Sequence, residues 1–167
     1  EGEMALQLYA GNALVCSLAF VFDATGARPF VRVGCVQGPK SGDGLDLARL
    51  ATRDAHGLRP KQLLLAVARE LGRVMGCTHL SLVGNANRVV CSALKEGKVM
   101  ANYNQLWQET GAVEQSDGDF NLPCTRIPPP ALDEIVSKKR AEAKRRYALL
   151  EEVVDLASAH FRTGPRW

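Results

Sequence analysis

The chain has few of the features that settle a protein's class at a glance. None of its apolar runs is long enough to span a bilayer, and the longest, 13–22, is interrupted by Cys16 and Ser17 and has the length of a strand. The first residues lack the basic-then-apolar order of a secretory leader, and the chain opens on Glu1, as a fragment or processed product would. Aromatic residues are only 6% of the total, and the formal net charge is only +3, too small for a strong field directed at nucleic acid. The five cysteines, Cys16, Cys35, Cys77, Cys91 and Cys124, are widely spaced and odd in number, with no C-x-x-C. His56, His79 and His160 show no H-x-x-x-H spacing. These absences argue against a disulfide framework and a zinc site. Buried thiols in a reducing compartment, no metal, and a cytoplasmic location with peripheral contact to an anionic inner-membrane surface are expected.

What is present is ordinary for a folded domain: 46% hydrophobic and 23% charged residues in 167, enough for one core, or one core and a helical tail. Residues 4–9, 13–22 and 30–36 read as three neighbouring antiparallel strands, separated by Gly11-Asn12 and by the turn-rich stretch 23–29. Residues 46–56 have Leu47, Leu50 and Ala51 at helical spacing, and Gly57 stops that helix. The clearest signal follows. Pro60 suits a first helical position, Leu63, Leu64, Val67, Ala68 and Leu71 form an apolar stripe, and Gly76 ends the helix. A short strand at 79–83 then makes a β-α-β crossover, with helical patterns at 89–94 and 102–110 beyond it. Asp117-Gly118 predicts a hairpin over 112–123, 124–130 is an extended proline-rich connection, and 132–161 is a long helix. The expected division is a core at 1–123 and a connection plus packed C-terminal helix at 124–167.

Taken in order, HGLRPKQLL, GNAN, YNQLWQETGAV, DGDFNLP and SKKRAEAKRRYALL resemble the VirK-type family of bacterial proteins over most of the chain. That resemblance implies a bacterial origin, a link to virulence or the cell envelope, and longer family members extended at the N-terminus. It implies no reaction. The element order over 4–123 also resembles GCN5-related N-acyltransferases (GNAT), whose acyl-coenzyme A pyrophosphate sits on backbone N–H groups at the start of a central helix. Here that place is 56–61, with Arg59 where the family pattern has a small residue. The family's tyrosine acid lies four residues before a helix-ending glycine; this sequence has Trp107 there and Tyr103 one turn earlier.

The resulting expectation is an α+β, GNAT-like fold: a mainly antiparallel sheet, a central helix on one face and a basic C-terminal helix packed across it. His56, Gly57, Arg59, Lys61, Asn85 and Asn87 are candidate contacts to acyl-CoA, and Gln37 and Trp107 to a small-molecule or peptide amine acceptor. Tyr103 is the candidate proton donor and Glu109 the base. Each has an ordinary structural alternative. Asparagines are favoured helix caps, Tyr103 and Trp107 stand i,i+4 as a packing pair would, and the basic run 137–146 is explained by a solvated helix face without nucleic acid. The functional choice is therefore an acyltransferase-like protein, or a non-catalytic binding or regulatory protein of the virulence or envelope-stress kind.

Overall fold

A computed structural model describes residues 4–38, 42–88 and 101–163. Strands β1 (Met4–Ala10), β2 (Ala13–Asp23) and β3 (Phe30–Gln37) form an antiparallel meander. Helices α1 (Gly42–Asp54) and α2 (Pro60–Val74) then carry the chain to β4 (His79–Leu82), which pairs parallel to β3. A single 3-10 turn (Asn85–Asn87), helix α3 (Tyr103–Glu109) and the hairpin β5 (Val113–Glu114) and β6 (Phe120–Pro123) follow. Helix α4 (Ser137–Thr163) closes the described chain. The six strands lie in the order β1-β2-β3-β4-β6-β5, so β3 and β4 make the one parallel pair in a mostly antiparallel α+β sheet.

Inward residues follow the period of two that the pleat imposes. Leu6, Leu18 and Val36 form one row across the sheet, and Val33, Leu82 and Phe120 form another. Two bulges shift the alternation. The register slips where Leu8 pairs with Cys16 but Tyr9 with Leu14, and again where Ala19 pairs with Cys35 but Phe20 with Val33. One extra residue on a strand turns successive side chains to the same side. Val15 and Cys16 are accordingly both buried.

Helix α2 sits between this inward face and α4, which is why its burial extends beyond the expected stripe to Leu65, Glu70 and Gly72. Each leucine it buries contributes about 1.5–3 kcal/mol relative to exposure. Gly72 is required by packing: a Cβ there would lie 2.7 Å from Cys124 Sγ and 3.0 Å from Val31 Cγ2. The Glu70 carboxylate, buried beside them, is held by Arg73 Nε at 2.8 Å and by the same guanidinium's Nη2. On α4 the inner stripe is Ala143, Leu150 and Val154, while Lys138, Lys139, Arg140, Lys144 and Arg145 are exposed.

The elements expected within the described residues are present with shifted ends. Helix α1 starts at Gly42 and stops at Asp54, since the backbone turns left-handed at His56 and Gly57. Helix α4 starts five residues later than expected, because 131–135 forms separate turns with Glu134 N–H bonded to Ala131 O and Ile135 N–H to Leu132 O. The helical pattern at 89–94, and Cys91, lie outside the described residues. Cys16, Cys77 and Cys124 are buried free thiols, and Cys35 is half-buried. Among the described residues, no group of three or more His, Cys, Asp or Glu is placed to hold a metal, and no helix is long and apolar enough to cross a membrane.

Candidate functional site

The turn between α1 and α2 brings the chain back toward the end of β3 through two left-handed residues, His56 at φ 53° and Gly57 at φ 83°. Arg146 of α4 fixes this turn by donating from Nε to the His56 carbonyl at 2.9 Å. Its Nη2 would lie 3.2 Å from a Cβ added to Gly57, and Glu142 Oε1 3.3 Å, so a side chain there would have to push both flexible ends back by a few tenths of an ångström besides adopting the left-handed backbone. Arg59 is then the extended N-cap of α2 and Pro60 its first helical residue. Among the described residues no side chain caps this terminus, and the first turn carries no acid, so the helix dipole meets no negative group of its own.

A cavity of about 760 Å³ opens in front of that terminus. Lys61 runs along Gly38 at the end of β3, with its Cε 3.5 Å from where a glycine Cβ would stand. Cys16 lies at the cavity wall; burial pushes its thiol up to about 11, opposed by the nearby Lys61 ammonium. Helix α1 contributes Arg49 and Arg53, and the apolar walls include Val15, Leu45, Ala48 and Leu106. Among the described residues four cationic side chains thus line the space, with Glu109 and Glu142 as the acidic ones. Arg59 Nη1 reaches Glu109 Oε2 at 2.9 Å, and Gln105 Nε2 donates to the other oxygen at 3.2 Å. The Arg59–Glu109 pair links the start of α2 to the end of α3 across the rim.

Gly57, Arg59, Lys61, Tyr103 and Glu109 border one cavity. Tyr103 borders it differently. Its hydroxyl lies 2.7 Å from both the N–H and the carbonyl of Val36, accepting from one and donating to the other, and the residue is 2% exposed. Burial pushes the phenol up to about 12, with the Val36 N–H acting in the opposite direction. Val36 lies past the last β3–β4 ladder pair, Val33 with Leu82, and Tyr103 takes the place of a strand neighbour there.

Five other candidates are placed elsewhere. His56 presents its carbonyl to Arg146 and is not part of the cavity wall. Gln37 pairs with Ser17 on the opposite face of the sheet and donates to Cys35 Sγ at 3.3 Å. Trp107 is fully buried, packs edge-on against Tyr103, and donates from its indole N–H to Val83 O at 2.8 Å. Asn85 accepts the Tyr103 N–H at 2.9 Å and donates to Asn102 Oδ1, fastening α3 to the end of β4. Asn87 donates to Asp117 O and Asp119 Oδ1, tying the same segment to the β5–β6 hairpin. The asparagines thus satisfy backbone and side-chain groups of this chain. Arg49, Arg53 and Leu45 were not singled out by sequence reasoning. Their signal is the spacing of residues 45, 48, 49, 52 and 53, which puts a second stripe on α1 beside its core-facing one.

Fold and site together define an α+β protein with a cationic, apolar-walled cleft at the uncapped start of its buried helix. The chain belongs to the DUF535 family, proteins of unknown function, which matches residues 1–158. This agrees with the VirK-type resemblance read from the sequence motifs. It is similar to the uncharacterized protein YbjX of Escherichia coli (strain K12), 32% identical over 133 residues, covering 78% of this chain and 40% of that protein. Two uncharacterized proteins of Haemophilus influenzae are 28% and 26% identical, covering 72% and 92% of this chain and 40% and 50% of their own lengths. The chain thus spans half or less of the length of these relatives. No solved structure matches it significantly.

Proposed function

We propose that this cleft binds an acyl-coenzyme A, or a ligand with the same combination of phosphate and acyl chain, and that the bound acyl group is transferred to an amine. The observation that carries the reading is the juxtaposition of an uncapped helix N-terminus, Arg49, Arg53, Arg59 and Lys61 with apolar walls in one cavity. Phosphate oxygens would take the first-turn N–H groups and the guanidinium forks, and an acyl chain would lie on Val15, Leu45 and Leu106. The element order that suggests an acyltransferase, strands, helix, parallel strand, helix and hairpin, adds support.

Glu109 is the base in this reading. Once Arg59 turns to the ligand, the Glu109 carboxylate accepts a proton from the incoming amine as nitrogen attacks the thioester carbonyl; the C–S bond breaks and the coenzyme sulfur leaves as a thiolate that takes up that proton. The bonds made to Val36 leave Tyr103 a positioning residue. That commitment also favours a second reading, in which the protein binds such a ligand in the bacterial cytoplasm or at the inner membrane as a non-catalytic regulator. Calorimetric titration with acetyl- and palmitoyl-coenzyme A tests the binding. Heat with either ligand, lost on reversing Arg59 and Lys61 to Glu but kept on reversing Lys144 and Arg145, is expected; no heat with either sinks both readings. Release of free thiol on adding an amine separates catalysis from binding.

A further inference from the structure

The charges of helix α4 run against its own dipole. Lys138, Lys139 and Arg140 stand in its first turn, which carries no acid, while Glu151, Glu152 and Asp155 come in its second half. Cations at a helix start oppose the macrodipole, so this order of charges weakens the isolated helix. Across 138–146 six basic residues accompany one acid, Glu142. Lys138, Lys139, Lys144 and Arg145 are exposed, and among the described residues none of the four forms an ion pair.

The basic half of α4 is also the half that lies at the cleft. Glu142 lines the cavity, and Arg146, one turn further on, fixes the turn at His56 and Gly57 on its rim. Lys138 and Arg145 stand at i−4 and i+3 from Glu142, so both share its side of the helix and extend the cationic surface outward from the mouth. Tyr147, the aromatic residue nearest to them in sequence, is half-buried and bonded to Ile127 O and Glu151. A basic surface without stacking rings suits an acidic protein better than a single-stranded nucleic acid, whose bases need such partners.

Inside the cleft most of the positive charge is already matched. Arg49 pairs with Asp46 at 2.9 Å, Arg53 with Asp54 at 3.4 Å and Arg59 with Glu109 at 2.9 Å. Among the described residues, Lys61 alone of the cations lining the cavity forms no ion pair. One phosphodiester can meet Lys61 and the open N–H groups of α2 without disturbing any pair, whereas the several phosphates of free coenzyme A would have to displace acids. We propose, resting on the acyl-donor reading of this cleft, that the donor is an acidic carrier protein whose acyl chain hangs on a phosphopantetheine arm. The carrier docks on α4 at Lys138 and Arg145, its phosphodiester lies at Lys61, and the arm and acyl chain enter between α1 and α3 along Ala48 and Leu106.

Titration of this chain at low salt with palmitoyl-acyl carrier protein, with the apo carrier that lacks the arm, and with palmitoyl-coenzyme A tests this. The palmitoyl carrier should bind about tenfold more tightly than palmitoyl-coenzyme A, and the apo carrier weakly but measurably. Rising salt should erase the carrier's advantage. The double variant Lys138→Glu with Arg145→Glu should lose affinity for both carriers by about tenfold and keep its affinity for palmitoyl-coenzyme A. Its new first-turn acid suits the helix dipole, so the fold should persist, as circular dichroism checks. Lys61→Glu should weaken the palmitoyl carrier and leave the apo carrier's affinity as it was. A palmitoyl carrier that binds no more tightly than palmitoyl-coenzyme A, or that ignores the double variant, overturns this proposal and leaves the cleft reading standing. Absence of binding by every one of these ligands overturns both. Capture by phosphatidylglycerol vesicles through Lys138 and Arg145, with no carrier binding, would assign the surface to a membrane and overturn the proposal as well.

Discussion

The Tyr103 hydroxyl and the Val36 peptide exchange two hydrogen bonds, both 2.7 Å long, across 67 residues of sequence. Val36 is where β3 extends past its last pairing with β4, so both of its backbone groups need a partner from elsewhere. Tyr103→Phe removes that partner and leaves a buried donor and acceptor unmet, at about 1–3 kcal/mol. Urea denaturation followed by tryptophan fluorescence should show this loss. A variant as stable as the parent would mean that water or backbone movement satisfies Val36 instead.

The same burial sets the alkaline limit of the fold. Cys16 is pushed up to about 11, and Cys124 and Tyr103 to about 12, in each case chiefly by burial. All three raised groups hold their protons more tightly folded than unfolded. Their contribution is complete below the unfolded values, 9.0 for thiols and 10.0 for the phenol, and falls as pH rises toward the folded ones. The urea midpoint should therefore decline between pH 9 and 12, with Tyr103→Phe flattening the portion above 10. A midpoint constant across that window would contradict this linkage.

Gly72 and Gly84 should resist alanine for different reasons. At Gly72 the new methyl meets a side chain, Cys124 Sγ at 2.7 Å, so the overpacking cost of about 1–3 kcal/mol should exceed the helix-propensity gain of ~1 kcal/mol. Cys124→Ala in the same molecule should restore part of the loss, a coupling that a double-mutant cycle reads directly. At Gly84 the methyl would stand 1.8 Å from the carbonyl oxygen of Gly118, which is backbone and cannot rotate away. Gly84→Ala should be the more damaging of the two, displacing the β5–β6 hairpin. Equal stability loss at the two sites would argue that the hairpin moves freely.

Adjacent residues in the α1–α2 turn should respond with opposite signs. His56 holds a left-handed conformation that costs a non-glycine residue about 1–2 kcal/mol, so His56→Gly should stabilise by a few tenths to ~1 kcal/mol after the entropy of glycine is counted. Gly57→Ala acquires the same backbone cost and crowds Arg146 Nη2 at 3.2 Å, so it should destabilise. Thermal melts of the two variants settle the sign. Destabilisation by both would point to a side-chain role for His56.

Arg59 and Glu109 form a rim pair whose side chains are 64% and 36% exposed. Pairs of this kind contribute between 0 and ~1 kcal/mol, so Glu109→Gln should leave stability almost unchanged. Under the proposed acyl transfer it should reduce kcat strongly while ligand affinity holds. Loss of affinity with unchanged kcat would remove the base assignment and leave the binding.

Elements were legible where a local rule acts on neighbouring residues. Pro60 followed by Leu63, Leu64, Val67, Ala68 and Leu71 can bury its stripe only as a helix, and Asp117-Gly118 can hardly be anything but a turn, with Gly118 at φ 87°. The basic start of α2 was legible for the same reason: Arg59, Pro60 and Lys61 are consecutive, and helix termini leave their N–H groups free wherever they occur. The long-range partners were not legible. No spacing in the sequence pairs Tyr103 with Val36, Trp107 with Val83 or Arg146 with His56, because side-chain chemistry specifies what a group needs and not which distant backbone supplies it. Asn85 and Asn87 were recognisable as polar groups at a strand end, but only the fold sets them beside Asn102 and the hairpin, where internal hydrogen bonds take up their side chains. Gln37 shows the sharpest division. Its identity and strand position came from sequence, but a bulge near Gly34 decided its face, since one extra residue inverts every side chain that follows.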